Sequence, residues 1–316
     1  MNILANDGLS QSGITALKEA GFGVLTTNVA QEQLAKYINT HKIAALLVRS
    51  NTQVQKDIID ECPTLKLIGR AGVGLDNIDV LYAKEKGITV INTPTASSNA
   101  VAELVFAHLL GGARYLHDAN RNMPLDGDSK FKALKKGYAN GFELRGKTLG
   151  VIGFGNIGVA TAKIAIAMGM KVVYHDTEIK TTVLELPFFD GQSVSFNLNS
   201  LSKEEVLENA DFISLHIPNQ KKHVIGKPEF ELMKNGVGIV NTARGGVLDE
   251  VALIAALKSG KVAFAGLDVF ESEPTPEIPI LMHPDISLSP HIGGSTVETQ
   301  EKIGIELATQ IISILN

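Results

Sequence analysis

Three polar residues with side chains suited to acid–base and carboxylate chemistry follow apolar segments of the chain. His291, Arg244 and Glu273 each come shortly after a run that is typical of a buried strand, and a Gly or Pro lies close behind each. A histidine can exchange a proton near neutral pH, and an arginine can hold a carboxylate in a two-point fork. An acid beside the histidine favours the protonated imidazole. These roles suit hydride transfer between a nicotinamide and a 2-hydroxy or 2-keto acid.

Each of the three residues also has a plain structural interpretation. A histidine after a proline is often a turn residue, Arg244 could cap a helix or pair with Asp249 or Glu250, and Glu273 could be a surface acid. His216, which also follows an apolar run, is a rival for the catalytic histidine. Because its neighbour Ile217 suits the wall of an adenine pocket, we interpret His216 as structural or close to the cofactor. No partner pattern accompanies the other histidines considered, which are His41, His108 and His283.

A glycine-rich segment with the spacing of a dinucleotide-binding turn lies near the middle of the chain. Gly153, Gly155 and Gly158 form G-x-G-x-x-G between an apolar run and a helical pattern, and Asp176 follows 18 residues after the third glycine. The glycines permit a tight turn, close approach of a pyrophosphate and close packing of helix on strand. The acid would bind the ribose hydroxyls and repel a 2′-phosphate, so NAD is favoured over NADP. The alternatives are a glycine turn without a ligand, and Glu178 as the acid.

Short apolar runs alternate with helical patterns along most of the chain, which is typical of a doubly wound α/β fold with parallel sheets. Residues 117–145, which are polar and carry Pro124, are predicted to be an extended connection. The last segment, 295–315, is predicted to be one amphipathic helix that packs back on the N-terminal unit. The strands are predicted at 3–5, 44–48, 66–68, 89–91, 148–152, 171–175, 212–216, 237–241, 263–267 and 286–289.

Composition excludes several classes of protein. The chain has 316 residues and a formal charge of −5, which disfavours a nucleic-acid binder and a polybasic membrane anchor. No apolar run reaches the roughly 18–20 residues of a membrane span, and no secretory signal is visible. The single cysteine fits a reducing compartment, so we expect a cytoplasmic protein. No His/Cys spacing typical of a metal site occurs, and no metal is expected.

Seven segments of the chain resemble, in order and spacing, those of the D-isomer-specific 2-hydroxyacid dehydrogenases. Within that family they are most similar to the enzymes that oxidise D-3-phosphoglycerate. The segments are LLVRSNTQV (46–54), GRAGVGLDNID (69–79), NTPTASSNAVAEL (92–104), LRGKTLGVIGFGNIG (144–158), NTARGGVLDE (241–250), LDVFESEP (267–274) and SPHIGGSTVETQ (289–300).

The resemblance implies a role for individual residues. Arg244, Glu273 and His291 match the family's carboxylate-binding arginine, acid partner and proton donor. Cofactor contacts are implied, besides the glycines and Asp176, for Val73, Asn156, Ile157, Ile217, Thr242, Ala243, Asp268 and Gly294. Substrate contacts are implied for Arg49, Ser50, Arg70, Gly72, Val73 and Gly74, the two arginines being placed to bind a phosphate.

The resemblance also implies a domain arrangement. A flavodoxin-like substrate domain would comprise residues 1–97 plus 291–316, and a Rossmann NAD-binding domain, residues 98–290, would be inserted in it. The long helix at about 98–116 would reach a partner, so a homodimer is expected. The sequence departs from the family's pattern in four ways. The serine-binding regulatory domain of some relatives is not expected, and the chain has no tryptophan. The segment after Asp176 is longer than usual, and Gly294 stands where the family usually has alanine.

Three functions follow from the sequence. The first is NAD-dependent oxidation of D-3-phosphoglycerate to 3-phosphohydroxypyruvate in serine biosynthesis. The second is the same chemistry as an NADH-dependent reductase of glyoxylate, hydroxypyruvate or another unphosphorylated 2-keto acid. The third is an NADH-sensing binding protein, which the complete set of Arg244, Glu273 and His291 disfavours.

Overall fold

The structure, a computed structural model, describes residues 1–315 and divides them into two compact units. The first unit comprises Met1–Ala100 together with the chain from Gly294 onward, and the second comprises Val101–Gly293. Each unit is an α/β domain built on a parallel sheet, which confirms the predicted fold class.

The first unit contains a five-stranded parallel sheet with the order β2-β1-β3-β4-β5. Its continuous apolar strands are buried on both faces, as in the fully buried β3 (Ile43–Val48). The other elements are β1 (Asn2–Ala5), α1 (Gln11–Glu19), β2 (Gly23–Leu25), α2 (Gln31–Thr40), α3 (Lys56–Glu61), β4 (Leu67–Arg70), α4 (Val80–Glu85), β5 (Thr89–Asn92) and α13 (Val297–Leu315).

The terminal helix α13 lies against α1 and β5. Its apolar stripe, with Ile303, Leu307 and Ile311, is buried in the same cluster as β1 residue Ile3. Two glycines allow the helices to approach closely, since a Cβ on Gly13 would lie 2.7 Å from the Gly304 carbonyl oxygen. The last helix is therefore an integral part of the N-terminal unit's core.

The second unit contains a six-stranded parallel sheet with the order β13-β12-β11-β10-β6-β7. Its sheet is covered by two apolar clusters, one of which stacks Phe154 on Tyr174 at 3.8 Å between ring centroids. The elements are α5 (Ser98–Ala113), which begins in the first unit, α6 (Leu116–Asp126), α7 (Phe131–Gly137), β6 (Thr148–Ile152), α8 (Asn156–Ala167), β7 (Lys171–His175), β8 (Thr181–Pro187), β9 (Ser193–Asn199), α9 (Lys203–Asn209), β10 (Phe212–Leu215), α10 (Lys227–Leu232), β11 (Val237–Asn241), α11 (Glu250–Lys258), β12 (Val262–Leu267), α12 (Ile278–Leu281) and β13 (Ile286–Leu288).

Both sheets have a switch point, where the chain order reverses on either side of the unit's first strand. In the first unit β1 lies between β2 and β3, and in the second β6 lies between β7 and β10. Ligands of open parallel sheets bind outside the carboxyl ends of the strands at this place. The topology therefore predicts a ligand site at the residues that follow β6 and its neighbouring strands.

The prediction of an extended connection at residues 117–145 is wrong for its first part. The chain forms α6 and α7 there, with Pro124 inside α6. A proline near the end of a helix removes one backbone donor but leaves most of the helix intact. In α6 the Gly127 N–H still donates to the Met123 carbonyl, so the last turn closes around the proline.

The longer segment after Asp176 forms an antiparallel hairpin, β8–β9, separate from the main sheet. Leu184 faces Phe196 across the hairpin, and both belong to the apolar cluster on the β6–β7 side of the unit. Phe189 in the connecting turn is fully exposed, at 103% of its reference area.

No helix among residues 1–315 is both long and apolar enough to span a membrane.

Candidate active site

The glycine-rich turn after β6 has the geometry that a bound pyrophosphate requires. Gly153 has φ +92°, and a Cβ there would lie 2.5 Å from the His216 carbonyl oxygen. A Cβ on Gly158 would lie 2.2 Å from the Gly153 carbonyl oxygen, so only glycine allows α8 to pack this closely. By contrast, a Cβ on Gly155 would meet nothing within 4 Å. The turn is thus closed on its inner side and open at the middle glycine.

The N-cap residue of α8 is Gly155, which has no side chain to cap the helix. The first N–H groups of a helix have no intrahelical acceptors, and together with the helix dipole they favour an anion. Asn156 and Ile157 form the first turn of α8. The open glycine and the uncapped helix therefore fit the diphosphate of a dinucleotide.

Asp176 follows β7 and lies against the same turn. Its Oδ2 accepts a hydrogen bond from the Phe154 N–H at 2.7 Å, and its Oδ1 accepts from the N–H groups of Glu178 and Ile179 at 2.8 and 2.9 Å. Burial raises the pKa of the Asp176 carboxyl, but these donors outweigh burial and hold the pKa below its ordinary value. The carboxylate is thus charged at neutral pH, and Glu178 contributes a backbone donor to Asp176.

Other residues expected to contact the cofactor lie at neighbouring strand ends. Ile217 follows β10, and its side chain lies against Gly153. Thr242 and Ala243 follow β11, where the hydroxyl of Thr242 is buried with no hydrogen-bond partner in the described residues. A buried hydroxyl without a partner is unfavourable unless a ligand completes it. Together with Asp176 and the open turn, these residues fit a dinucleotide with unphosphorylated ribose.

His291 and Glu273 form a hydrogen-bonded pair. His291 Nδ1 lies 2.8 Å from Glu273 Oε2, while Glu273 Oε1 accepts from the Phe270 N–H at 2.9 Å. His291 has φ +54°, a left-handed conformation that is uncommon for residues other than Gly, Asn and Asp. Its N–H donates to the Asp268 carbonyl at 2.8 Å, which fixes this turn. Because Nδ1 is engaged by the acid, Nε2 is the ring nitrogen left for a substrate.

Asp268, at the end of β12, organises the loop that carries His291. Its Oδ1 accepts from the Ser289 hydroxyl at 2.6 Å and the Ile292 N–H at 2.8 Å, and its Oδ2 accepts from the Gly293 N–H at 2.8 Å. Asp268 is buried, at 1% exposure. A carboxylate that holds three donors is a positioning group for the loop, in addition to the cofactor contact expected from the sequence.

His108 and Ser289, to which no role was assigned from the sequence, lie near this loop. His108 on α5 contacts the hydroxyls of Ser287 and Ser289, at 2.8 and 3.0 Å from its Nδ1 and Nε2. Burial lowers the pKa of His108, although the nearby Asp268 carboxylate opposes the shift. His108, Ser289 and Asp268 therefore form a chain of polar contacts behind His291. The helical spacing of His108 with apolar residues made it indistinguishable from a core position in the sequence.

Arg244 follows β11, in a segment packed on the one that carries Glu273. Its Nη1 donates to the Ala243 carbonyl at 2.6 Å, and its own carbonyl accepts from the Asn241 side chain at 2.8 Å. At the next residue, a Cβ on Gly245 would lie only 1.9 Å from the Phe270 carbonyl oxygen. The backbone segments that carry Arg244 and Glu273 are thus in direct contact at Gly245 and Phe270.

His216, the rival histidine, is not a proton-exchange group near neutral pH. Burial lowers its pKa to about 3, with Nε2 held at 2.8 Å from the Ser214 hydroxyl and Nδ1 buried without a partner among the described residues. The structure therefore favours the interpretation of His216 as a structural residue beside the cofactor turn.

The expected substrate residues lie in the first unit, at the carboxyl ends of two adjacent strands. Arg49 follows β3 and Arg70 ends β4, and these strands pair in parallel with Val48 opposite Arg70. The N–H of Arg49 donates to Asp7 Oδ2 at 2.6 Å, and Arg70 Nη1 donates to the Ala71 carbonyl at 3.2 Å. Both side chains are half-buried.

Glycines and small residues surround these arginines in the first unit. Gly72 has φ +147°, and a Cβ there would lie 1.7 Å from Arg70 Nη1, so glycine leaves the room that the guanidinium occupies. The Val73 carbonyl accepts from the Asn92 side chain at 2.7 Å. The other residues predicted here are the exposed Ser50, the partly exposed Gly74, and Gly294, where a Cβ would meet Ser97 at 3.4 Å.

Comparison with known proteins identifies the family. Residues 106–293 match the family model described as the NAD-binding domain of D-isomer specific 2-hydroxyacid dehydrogenases. A hydroxypyruvate reductase from Thermotoga maritima is 46% identical over 297 residues, covering 92% of this chain and 90% of that protein. A D-3-phosphoglycerate dehydrogenase from Methanocaldococcus jannaschii is 43% identical over 317 residues and matches all of this chain, which spans 57% of its length.

A solved structure shows the same architecture. The TT0316 protein from Thermus thermophilus superposes with a TM-score of 0.85 and 31% identity, covering 100% of this chain and 97% of that one. Both the sequence match and the structural match thus extend over nearly the entire chain. The chain belongs to the D-isomer-specific 2-hydroxyacid dehydrogenases and is an NAD-binding enzyme of that family.

Proposed function

We propose that this enzyme oxidises D-3-phosphoglycerate to 3-phosphohydroxypyruvate, the reaction that leads into serine biosynthesis. The observation that carries the proposal is the placement of Arg49 and Arg70 at the carboxyl ends of adjacent parallel strands. Two guanidinium groups supply more positive charge than one carboxylate needs, and they suit the doubly charged phosphate. The similarity to the Methanocaldococcus jannaschii dehydrogenase supports the same substrate.

The proposed chemistry divides between three side chains of this enzyme. Arg244 binds the substrate carboxylate, and His291 Nε2 takes the hydroxyl proton as the alcohol is oxidised. The Glu273 carboxylate, 2.8 Å from His291 Nδ1, orients the ring and stabilises the imidazolium that forms. NAD held by the glycine turn and Asp176 would supply the hydride acceptor. In the reverse direction His291 must begin protonated.

Initial rates of NADH oxidation with four 2-keto acids test the substrate. We expect kcat/KM for 3-phosphohydroxypyruvate to exceed that for hydroxypyruvate, glyoxylate and pyruvate by about 100-fold, which corresponds to roughly 2.7 kcal/mol of transition-state discrimination. A flat or reversed ranking would contradict the phosphate proposal and leave the family assignment intact.

The second candidate is a reductase of hydroxypyruvate or glyoxylate. The similarity to the Thermotoga maritima hydroxypyruvate reductase supports it. The two proteins are 46% identical, and the match covers 90% of the reductase. Hydroxypyruvate differs from the phosphorylated acid by the phosphate alone. A preference for hydroxypyruvate in the same rate series would therefore select this candidate.

Replacing Arg49 with glutamine separates the two candidates further. Losing one hydrogen bond to a charged group costs about 1.5–3 kcal/mol, so we expect kcat/KM for 3-phosphohydroxypyruvate to fall by at least about tenfold. Because the bond to Asp7 comes from the backbone N–H, the substitution leaves it in place. Hydroxypyruvate serves as the matched control and should lose little. Equal losses for both acids would remove Arg49 from a phosphate role.

Replacing Glu273 with glutamine should lower kcat for keto-acid reduction. The carboxylate lies 2.8 Å from His291 Nδ1, and glutamine keeps the length of the side chain but removes the charge. Losing a hydrogen bond to a charged group costs about 1.5–3 kcal/mol, so we expect kcat to fall by at least about tenfold. Glu277→Gln is the control, since this exposed carboxylate precedes α12. A kcat of Glu273→Gln near the wild-type value would exclude Glu273 as the group that orients the His291 ring.

We also propose that the enzyme is a homodimer that uses the region of α5 and α6. Large apolar side chains of this region of the second unit are exposed, and their burial against a second copy would be favourable. Light scattering after size-exclusion chromatography should give twice the chain mass of 33.7 kDa. A monomer at micromolar concentration would contradict the proposal. The exposed residues are Leu110, Leu116, Met123 and Leu125.

A further inference from the structure

A second cluster of ligating side chains lies outside the candidate active site. His223 is in the segment between β10 and α10, Asp249 is the N-cap of α11, and Glu271 follows β12. One ligand atom from each of the three lies within 4.8 Å of the other two. Among the described residues this is the one set of three or more His, Cys, Asp or Glu side chains that comes together in this way. We propose that it is a binding site for a divalent transition-metal ion of the zinc type.

The atoms have spacings that a shared ion can adopt. His223 Nε2 lies 3.1 Å from Glu271 Oε1, close to the separation of neighbouring ligands around a tetrahedral Zn²⁺ with bonds of about 2 Å. Asp249 Oδ2 lies 3.7 Å from the other ring nitrogen, Nδ1, and within 4.8 Å of the ligand atoms of the other two residues, so its side chain must rotate towards Nε2 to share an ion with Glu271. One imidazole and two carboxylates form a mixed nitrogen and oxygen set, which suits Zn²⁺ better than Mg²⁺, an ion that prefers oxygen and water.

The charges around the cluster favour a cation. With a neutral imidazole the three side chains carry a charge of about −2. In the described part of the chain His223 is the sole basic side chain within ion-pair distance of Asp249 or Glu271. Glu250 adds a fourth carboxyl, whose oxygen accepts the Glu271 N–H at 2.9 Å. A bound cation would therefore reduce the repulsion between these neighbouring carboxylates.

The ligands have coordinating capacity left and are accessible. Glu271 Oε1 also accepts the Glu250 N–H at 3.1 Å, and its Oε2 remains for an ion. Asp249 uses Oδ1 to accept the Ala252 N–H at 2.8 Å, which leaves Oδ2 for an ion. The side chains of His223, Asp249 and Glu271 are 41%, 31% and 32% exposed, so an ion can enter and keep water in its remaining positions. Three protein ligands with water in the fourth position is the arrangement of zinc sites that keep an open coordination position.

A bound ion would join three segments that are far apart in the sequence. One of them runs from Glu271 to Glu273, which holds His291, while Phe270 contacts Gly245 beside Arg244. The ion would thus brace the backbone that carries the active-site acid without contacting the reacting atoms. This site is independent of which 2-hydroxy acid the enzyme uses.

Titration calorimetry of the chelator-treated enzyme with zinc chloride tests the proposal. We expect one Zn²⁺ per chain, no competition from Mg²⁺, and a melting temperature raised by about 5 °C at a free zinc concentration 100-fold above Kd. His223→Ala and Glu271→Gln should each weaken binding by at least about tenfold, since even outer-shell partners contribute that much.

Two control variants separate this site from other histidines. His283→Ala should bind zinc normally, because His283 faces one carboxylate, Asp285, at 3.9 Å. His291→Asn should also bind zinc. This result would show that the pair of His291 and Glu273 does not hold the ion. Failure of the wild-type enzyme to bind zinc stoichiometrically, undiminished binding by His223→Ala, or loss of binding in His291→Asn would each overturn the proposal. If His223→Ala does not fold, Glu271→Gln and the cap-preserving Asp249→Asn decide the result.

Discussion

Replacing His291 with asparagine is expected to lower kcat for keto-acid reduction by about 10²–10⁴-fold, the usual contribution of a positioned general acid. Asparagine is the informative substitution because His291 has φ +54°, a left-handed conformation that asparagine tolerates better than alanine. The bonds from the loop's N–H groups to Asp268 can therefore persist. The substitution removes the proton-exchanging ring and retains the backbone around it.

Two measurements distinguish lost chemistry from lost structure in this variant. NADH affinity, measured by titration, should be unchanged, because the dinucleotide turn and Asp176 follow β6 and β7, whereas His291 follows β13. The melting temperature should also stay close to that of the wild-type enzyme. His283→Asn is the matched histidine control and should keep its activity. A kcat of His291→Asn near the wild-type value would assign proton exchange to another group, and a parallel loss of NADH binding would indicate a collapsed loop.

The parts of the site that sequence could predict are those at the ends of strands. The glycine spacing at 153–158 and the acid at Asp176 follow one another along a strand, turn, helix and strand, so their contact follows from the chain order. His291 and Glu273 could be placed at one edge of the sheet because the carboxyl ends of parallel strands share that edge. Their hydrogen bond is a fact of the three-dimensional structure that the pattern alone does not contain.

The hairpin β8–β9 and the helices α6 and α7 were not predicted, because the sequence also carries signals that favour other structures. The hairpin β8–β9 alternates apolar and polar residues with a period of two, and Asp190-Gly191 lies in its turn. This pattern indicates a hairpin, but the α/β alternation of the rest of the chain favoured single strands joined by helices. In α6, Pro124 and many polar residues indicated a loop, whereas a proline in the last turn removes one donor only.

Contacts between distant segments were beyond the reach of the sequence. His108 and Ser289 are separated by 181 positions, and nothing in either local pattern indicates that they meet. The same holds for His223, Asp249 and Glu271, whose spacing matches no metal-binding motif. No metal site was expected from the sequence, because no His/Cys spacing typical of a metal site occurs in it. Sheet topology, not local spacing, brings these three side chains together.

Replacing Gly245 with alanine is expected to lower both stability and activity. The added Cβ would lie 1.9 Å from the oxygen and 2.0 Å from the carbon of the Phe270 carbonyl, and backbone atoms cannot rotate away as a side chain can. Overpacking of this kind costs about 1–3 kcal/mol or more in the free energy of unfolding. The strain falls between Arg244 and the segment that carries Glu273. A displacement of about 1 Å there could lower kcat/KM by about 10²-fold.

Gly246→Ala is the matched control for this prediction, since its Cβ would meet only the tip of the Asn219 side chain, at 3.3 Å. Urea denaturation and keto-acid reduction should show a large loss for Gly245→Ala and a small one for Gly246→Ala. Equal and small losses would mean that the two segments separate easily, and then Arg244 would not depend on the position of Glu273. A loss of stability with full activity would show that the strain is relieved on the side of Phe270 away from the active-site acid. The pair of variants thus measures how tightly the carboxylate-binding arginine is coupled to the histidine's acid partner.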